Sequence, residues 1–163
     1  MAAPVKNMRT IFPASVDTTV TTTSTTGTDV DAGVRTTAAI TGGTLASVAA
    51  AANVTGVVTM AKSLMLQQVV CTFKSRVRLY STAAARDADV TRPFAIPIAP
   101  GTQHGMICDL YLNTNDKFTW IMSPAAEGSN LDDGSANLYF SVTNIDTVTR
   151  SLTVTFTYTT MEI

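Results

Sequence analysis

The sequence has little charge: Asp, Glu, Lys and Arg make up 14% of its 163 residues, against roughly 25% in an average soluble domain. The 11 basic residues are scattered and nearly balance the 12 acidic ones, which leaves a formal net charge of -1. No strong positive field is expected, and nucleic acid is not expected as the main partner. So little charge is typical of a surface covered by copies of the protein or by a larger particle.

The tightest basic run is Lys74-Ser-Arg-Val-Arg78. Lys74, Arg76 and Arg78 alternate with other residues, so on a strand their side chains share one face. We expect this face to be solvated or to lie in an interface.

Residues suited to catalysis are also scarce, with one histidine and two cysteines in the chain. His104 lies in Pro100-Gly-Thr-Gln-His-Gly105, where no nucleophile elbow or triad signature accompanies it, so it is interpreted as a polar loop residue. Cys71 and Cys108 lie in apolar, strand-like stretches and match no zinc spacing. They are interpreted as small core residues, with a disulfide as the alternative. The chain is therefore not expected to be an enzyme.

Acidic residues gather in two places, and neither has the ligand pattern of a known cation loop. Asp29-Val-Asp31-Ala-Gly33 lacks the later ligands and the terminal Glu of an EF-hand. Glu127, Asp132 and Asp133 fall on a predicted flexible loop, where solvated carboxylates explain them equally well. The sequence predicts no cofactor, no metal site and no catalytic residue.

Long hydrophobic runs are missing as well. The apolar stretch from Leu45 to Met60 is interrupted by Asn53, Thr55 and Gly56, so it is too broken to span a membrane. The N-terminus lacks the apolar region of a secretory signal, which predicts synthesis in a cytoplasm. A membrane partner is not expected.

The sequence does have a strong period-two pattern at its C-terminus. Leu152, Val154, Phe156 and Tyr158 alternate with threonines. This alternation predicts a strand that buries its apolar side chains in a core and turns neutral hydroxyls outward. A surface of threonines suggests contact with other protein.

Further strands are predicted upstream, with turn residues between them. They cover Leu64–Tyr80 as one extended or bent strand, Gly105–Leu112, Phe118–Met122, Leu138–Asn144 and Leu152–Met161. Asn113–Asp116 and the connection that begins at Asn144–Thr147 are expected to close hairpins. Short strands at this spacing predict an all-β, antiparallel sandwich of jelly-roll type, with a barrel as the alternative.

One short helix interrupts this β pattern. Ser81 or Thr82 is a suitable N-cap for the Ala-rich segment that ends at Asp89. Pro93 forbids the continuation of this helix.

The aromatic residues have two interpretations. Phe118, Trp120 and Met122 fall on one side of a strand, which favours core packing. A carbohydrate-binding face is the alternative, because Tyr111 and Tyr139 are placed to lie on other sides of their strands.

Residues 1–62 differ in composition from residues 63–163, being dominated by Thr, Ala, Gly and Val. The most biased run is Thr18–Thr26, which includes Thr18, Val20 and Thr22. We expect residues 1–62 to form an extended arm that adds strands to a neighbouring sheet edge, with a weakly ordered tail as the alternative. Residues 63–163 are expected to form the sandwich.

Several segments of residues 76–163 resemble a known group of domains. They are Arg76-Val-Arg-Leu-Tyr-Ser-Thr-Ala-Ala-Ala-Arg-Asp-Ala-Asp89, Arg92-Pro93, Trp120-Ile-Met-Ser-Pro-Ala-Ala126, Tyr139–Asn144 and the final Thr-alternating strand. In combination they resemble a small β-sandwich domain of virion proteins from tailed bacteriophages, including accessory head proteins and tail-fibre proteins.

The resemblance implies a non-enzymatic protein of the virion. It would be a capsid decoration or cement protein that forms an oligomer, with a trimer favoured, and binds the major capsid protein or another virion protein. A tail-fibre or baseplate component that takes part in host attachment is the alternative. A hydrolase of the cell envelope is disfavoured, because no pair of carboxylates or metal site for it is found.

Overall fold

The computed structural model describes residues 35–97, 105–113 and 118–161. In these ranges the chain forms eight strands and one α-helix, with a short 3₁₀ turn at Gly43–Leu45. In chain order the elements are β1 (Arg35–Ile40), β2 (Asn53–Thr59), β3 (Ser63–Cys71), β4 (Ser75–Tyr80), α1 (Ala83–Asp89), β5 (Met106–Leu112), β6 (Thr119–Ser129), β7 (Asn137–Asn144) and β8 (Val154–Thr160).

The strands pair in a nested order: β1 with β8, β2 with β7, β3 with β6 and β4 with β5, all antiparallel. The chain therefore resembles one long hairpin that is wrapped around itself, and the wrapping adds the pairs β3–β8 and β4–β7. The first sheet has the order β1-β8-β3-β6 and the second sheet the order β2-β7-β4-β5. This is the topology of a jelly roll, so the prediction of an all-β, antiparallel sandwich is confirmed.

The core lies between the two sheets and is centred on the C-terminal strand. Leu152, Val154 and Phe156 are fully buried. Tyr158 is buried as well, and its hydroxyl donates to the carbonyl of Met60 at 3.0 Å. The apolar half of the predicted alternation thus faces the second sheet. Thr157, on the outer face, is buried as well because β8 is a central strand between β1 and β3.

The structure corrects the predicted boundary at residue 62. β1 pairs with β8 from Arg35 to Ile40, and β2 pairs with β7 from Asn53 to Thr59. Both strands belong to the sandwich because their small apolar residues pack against the core even though the composition is biased. The remaining part of the predicted arm, with Thr18, Val20 and Thr22, lies outside the described residues.

The two predicted hairpins are wrong. β5 lies in the second sheet and β6 in the first, and the same change of sheet separates β7 from β8. Turn residues show where a chain reverses but not which strand it then pairs with. Asn144 makes both a local and a distant contact. Its side-chain oxygen accepts from the backbone amide of Asp146 at 2.9 Å, as in a turn, but its side-chain amide donates to the carbonyl of the distant Val48 at 2.8 Å.

The segment Leu64–Tyr80 follows the bent alternative. Its first part, β3, belongs to the first sheet, and its second part, β4, belongs to the second sheet. Residues 72–74 connect the two and change the direction of the chain.

The predicted helix is present as α1. The hydroxyl oxygen of Thr82 accepts from the amide of Ala85 at 3.1 Å, which identifies Thr82 as the N-cap. No helix within the described ranges combines the length and the apolarity needed to cross a membrane.

Gly56 is required by the close approach of β2 to an aromatic ring. A Cβ atom on Gly56 would lie 2.6 Å from Cζ of the buried Phe140. We expect Gly56→Ala to destabilise the protein by about 1–3 kcal/mol, because the ring is confined by the core and cannot move away. Urea denaturation checks this, with Val57→Ala on the exposed side of the same strand as control. Equal midpoints for the two variants would contradict this packing.

Candidate functional site

The outer face of the second sheet carries a cluster of charged residues. On β4, Val77 and Leu79 face the core, while Arg76, Arg78 and Tyr80 alternate with them and face outward. Arg78 is only 1% exposed, and Arg76 is also buried. The expectation that Arg76 and Arg78 form a solvated or interface face is therefore wrong, because the segment after β4 folds back over them.

This ionic cluster consists of Arg76, Arg78, Tyr80, Asp89, Arg92 and Asp109. Arg76 forms a bidentate pair with Asp109, at 2.8 Å and 2.7 Å. Arg92 lies between the two carboxylates and donates to Asp89 at 2.5 Å and to Asp109 at 2.6 Å. The cluster therefore joins β4, β5, the end of α1 and the segment after it.

Asp89, the last residue of α1, is the centre of the cluster. Its carboxylate accepts from the Tyr80 hydroxyl at 2.6 Å and from Arg78 at 3.3 Å, and its carbonyl accepts from Arg78 at 2.6 Å. The second terminal nitrogen of Arg78 donates to the hydroxyl of Ser141 on β7 at 2.9 Å. Desolvated charges are tolerated here because each is paired and hydrogen-bonded.

The environment shifts the pKa values of Tyr80 and Asp109 in the directions that preserve these bonds. Burial, and then the hydrogen bond to Asp89, raise the pKa of Tyr80 far above its usual value. Burial alone would raise the pKa of Asp109, but the hydrogen bonds from Arg76 and Arg92 outweigh it and lower that pKa. Groups fixed in this way do not exchange protons near neutral pH, so the cluster is suited to structure rather than to acid–base catalysis.

The lowered pKa of Asp109 predicts a loss of stability in acid. Because the folded-state pKa lies below the usual 3.8, its contribution is fully present above about pH 4 and is lost as the pH falls through the folded value. Thermal melts from pH 7 to pH 2 check this, and we expect Asp109→Asn to show a shallower acid decline than wild type. The same slope in wild type and in Asp109→Asn would contradict the role of Asp109.

The ionic cluster also fixes a surface turn formed by Pro93, Phe94, Ala95 and Ile96, which we call the apolar turn. The amide of Ile96 donates to the carbonyl of Pro93 at 3.2 Å, and Arg92 donates to the carbonyl of Ile96 at 2.8 Å. Arg76 donates in addition to the carbonyl of Arg92 at 2.6 Å. The guanidinium groups of the buried Arg76 and the partly buried Arg92 thus hold the backbone of the turn in place.

The side chains of the apolar turn are exposed although its backbone is held. Phe94 is 55% exposed and Ile96 is 53% exposed. The Phe94 ring contacts the ring of Tyr111, with centroids 4.6 Å apart, and the Arg76 guanidinium lies 5.5 Å from its centroid. The turn is a preformed apolar projection on the second sheet.

Trp120 and Ile121 form a second exposed apolar element, on β6 at the edge of the first sheet. Trp120 is 48% exposed and Ile121 is 72% exposed, whereas Phe118 is half-buried against the core. The expectation that Trp120 packs in the core is therefore wrong. β6 is an edge strand, a position that the local alternation does not reveal.

The outer face of the first sheet is nearly free of charge. A groove of about 400 Å³ crosses it. Its lining consists of Arg35, Gln67, Gln68, Ile121, Met122 and Ala125. The amide of Gln67 donates to the hydroxyl of Thr159 at 2.9 Å, so neutral polar groups form much of this surface.

The aromatic residues proposed for a carbohydrate-binding face are not brought together. Tyr111 and Tyr139 lie on the second sheet, while Trp120 lies on the first. Tyr139 instead contacts the guanidinium of Arg86, which lies 5.5 Å from its ring centroid. A single face that combines all three aromatics is not formed.

The other candidate groups do not converge on a catalytic or metal site in the described part of the chain. Cys71 and Cys108 are both free and buried, and burial raises the pKa of the Cys108 thiol to about 12. Asp132 accepts from the amide of Ala83 at 2.8 Å, which ties its loop to α1. No group of three His, Cys, Asp or Glu side chains that can hold a metal ion occurs among the described residues.

His104, Asp29 and Asp31 lie outside the described residues. Sequence reasoning missed the ionic cluster, although two signals for it were present. Asp109 is the only charged residue in the apolar strand β5, and Arg92 follows Asp89 at the spacing of one helical turn.

Comparison of the chain with protein-family models, with curated proteins and with solved structures found no match.

Proposed function

We propose that this chain is a non-enzymatic structural protein of a tailed-phage virion that decorates and stabilises the head as a homo-oligomer, a trimer being the simplest form. The observation that carries the proposal is the apolar turn, which is exposed in its side chains but fixed in its backbone by hydrogen bonds from Arg76 and Arg92. The low charge of the chain and the scarcity of charged residues on the outer face of the first sheet support the same function.

A fixed apolar projection suits a protein that binds through many weak contacts. Ordering a loop on binding costs free energy, and a turn held by Arg76 and Arg92 before binding avoids much of this cost. Large apolar and aromatic side chains such as Phe94 are typical centres of protein interfaces. On a shell with many copies of the major capsid protein, weak contacts of this kind gain strength through multivalency.

Immunogold electron microscopy of intact virions with an antibody to this chain tests the location. Label spread over the heads is expected for a decoration or cement protein. Label confined to the tail tips would overturn the head assignment, and absence of label from every virion would overturn the virion assignment itself.

The apolar turn provides a more specific prediction. We expect Phe94→Ser combined with Ile96→Ser to reduce binding to heads that lack the protein by at least about tenfold, because two exposed apolar contacts are lost from the interface. The melting temperature should change little, since both side chains are half-exposed. Co-sedimentation with such heads measures the binding.

The matched control for this prediction is Val57→Ser, which removes an apolar side chain of similar exposure from β2. It should leave binding to heads unchanged. Normal binding by the double variant, with a normal melting curve, would mean that the apolar turn does not contact the shell.

A tail-fibre or baseplate component is the second candidate, and one observation favours it. The groove on the outer face of the first sheet offers the amide groups of Gln67 and Gln68 beside the exposed Ile121, and a concave surface that combines apolar and neutral polar groups suits the recognition of a small ligand such as a glycan. Gold label at the tail tips together with loss of host adsorption in Gln68→Ala, which removes an amide group from this groove, would favour this function over head decoration.

A further inference from the structure

β6 has one free edge in the described structure, since β3 is its only neighbour in the first sheet. Trp120 is paired with Val69 and Ile121 with Gln68, so the two exposed side chains point to opposite faces of the sheet. A partner that binds only one face cannot cover both of them. A partner that lies along the free edge contacts both, which identifies the edge itself as the docking surface.

This edge carries a bulge and a proline but lacks the charged residues that often prevent strand addition. Thr119–Ala126 contains no charged residue, so neither lysine nor an inward-pointing charge blocks it. The register with β3 shifts directly after Ile121, and the nitrogen of Pro124 cannot donate to a ladder, so the regular part of this edge is Thr119–Ile121. A short, uncharged and partly apolar edge is therefore open to an added strand.

The chain itself provides a segment of matching chemistry. Residues 1–34 precede the described structure, and Thr18–Thr26 within them consists of threonines with Val20 and Ser24. All of these residues except Ser24 are β-branched, which favours extended backbone, and none is charged. The composition of Thr18–Thr26 therefore suits pairing with the uncharged edge of β6.

The place where this segment joins the sandwich brings both its own β6 and the β6 of a neighbouring copy within reach. Arg35 begins β1, which is the opposite edge of the same sheet, about 14 Å from β6 at roughly 4.8 Å per strand. Residues 27–34 can span up to about 28 Å and contain Gly27 and Gly33. Copies arranged head to tail place the β1 edge of one beside the β6 edge of the next, and such contacts form a ring when the rotation closes.

We propose that Thr18–Thr26 of one copy adds as a strand to the free edge of β6 in a second copy and covers Trp120 and Ile121. This inference rests on the homo-oligomer in the proposed function and specifies its interface. Each subunit gives one strand and receives one, so the ring is held by backbone hydrogen bonds as well as by apolar contact.

Cross-linking between full-length chains tests the proposal. Purified Val20→Cys and Ile121→Cys proteins are mixed and treated with a short bis-maleimide, while the native thiols of Cys71 and Cys108 are buried. We expect a cross-linked pair that contains one chain of each kind. Val57→Cys, at an exposed position on the second sheet, replaces Ile121→Cys in the control and should give no such pair.

The double variant Val20→Cys/Ile121→Cys distinguishes the alternatives. A ladder of chains that ends at the ring size supports the proposal, whereas a cross-link within one chain means that the segment covers its own β6. No cross-link in either experiment also overturns the proposal. If no cross-link forms but light scattering shows an oligomer, the homo-oligomer stands and only this interface is refuted. If cross-linked rings form but virions carry no gold label, only the virion function is refuted.

The fluorescence of Trp120 gives an independent readout, because it is the only tryptophan in the chain. In the full-length protein we expect Val20→Asp to increase acrylamide quenching about twofold, since a charge on the added strand would displace it from the apolar edge. Val5→Asp, outside the run Thr18–Thr26, is the control. Equal quenching in wild type and Val20→Asp would overturn the proposal.

Discussion

Phe156→Asp is expected to prevent the protein from folding. Phe156 is fully buried on the central strand β8, where its partners in register are Ala38 of β1 and Val69 of β3. Loss of a buried phenylalanine costs about 3–5 kcal/mol, and an unpaired carboxylate in the same place adds a larger penalty. Together the two penalties are comparable with the whole free energy of unfolding of a typical domain, roughly 5–15 kcal/mol.

Circular dichroism and the yield of soluble protein measure this effect. Thr155→Asp is the matched control, because it places the same charge one residue earlier on the outer face, where the side chain is half-exposed. That variant should fold and melt cooperatively near the wild-type temperature. A soluble, cooperatively melting Phe156→Asp protein would contradict the assignment of Phe156 to the core.

The sequence is most informative where one local pattern determines the structure. The alternation from Leu152 to Tyr158 predicts which side chains are buried, because a strand has a fixed period of two. The capping preference of Thr82 predicts the start of α1 for a similar reason. Both depend on residues within a few positions of each other.

Features that depend on distant residues are not predicted. Whether β6 lies at an edge is decided by the pairing of all the strands, so Trp120 looks like a core residue in its local context. Arg76 and Arg78 look like a solvated face because their partners come from α1, β5 and β7. The biased composition around β1 and β2 hides two strands whose small residues are sufficient to pack against a core formed elsewhere.

The ionic cluster leads to the second large effect. We expect Asp89→Ala to destabilise the protein by about 3–5 kcal/mol, because it leaves Arg78 buried without its carboxylate and removes the partner of the Tyr80 hydroxyl. Alanine is a better helix former than aspartate, so α1 itself does not lose stability through helix propensity. Urea denaturation measures the difference in unfolding free energy.

Asp87→Ala is the matched control, because Asp87 lies on the same helix with its side chain exposed and paired to Arg86. An exposed pair of this kind contributes little, so this variant should unfold close to wild type. Replacing both partners, as in Arg78→Met/Asp89→Leu, should cost less than Asp89→Ala alone, since no unpaired charge remains buried. If Asp89→Ala matched Asp87→Ala, the cluster would not stabilise the fold.

Asp89→Ala and Asp87→Ala also test whether the ionic cluster orders the apolar turn in addition to stabilising the sandwich. Arg92 connects Asp89 to the carbonyl of Ile96, so loss of the carboxylate should loosen residues 92–96 as well as weaken the fold. Hydrogen exchange at the amide of Ile96 should become faster in Asp89→Ala and stay unchanged in Asp87→Ala. A destabilised protein with a protected Ile96 amide would mean that Arg76, through Asp109, is sufficient to hold the turn.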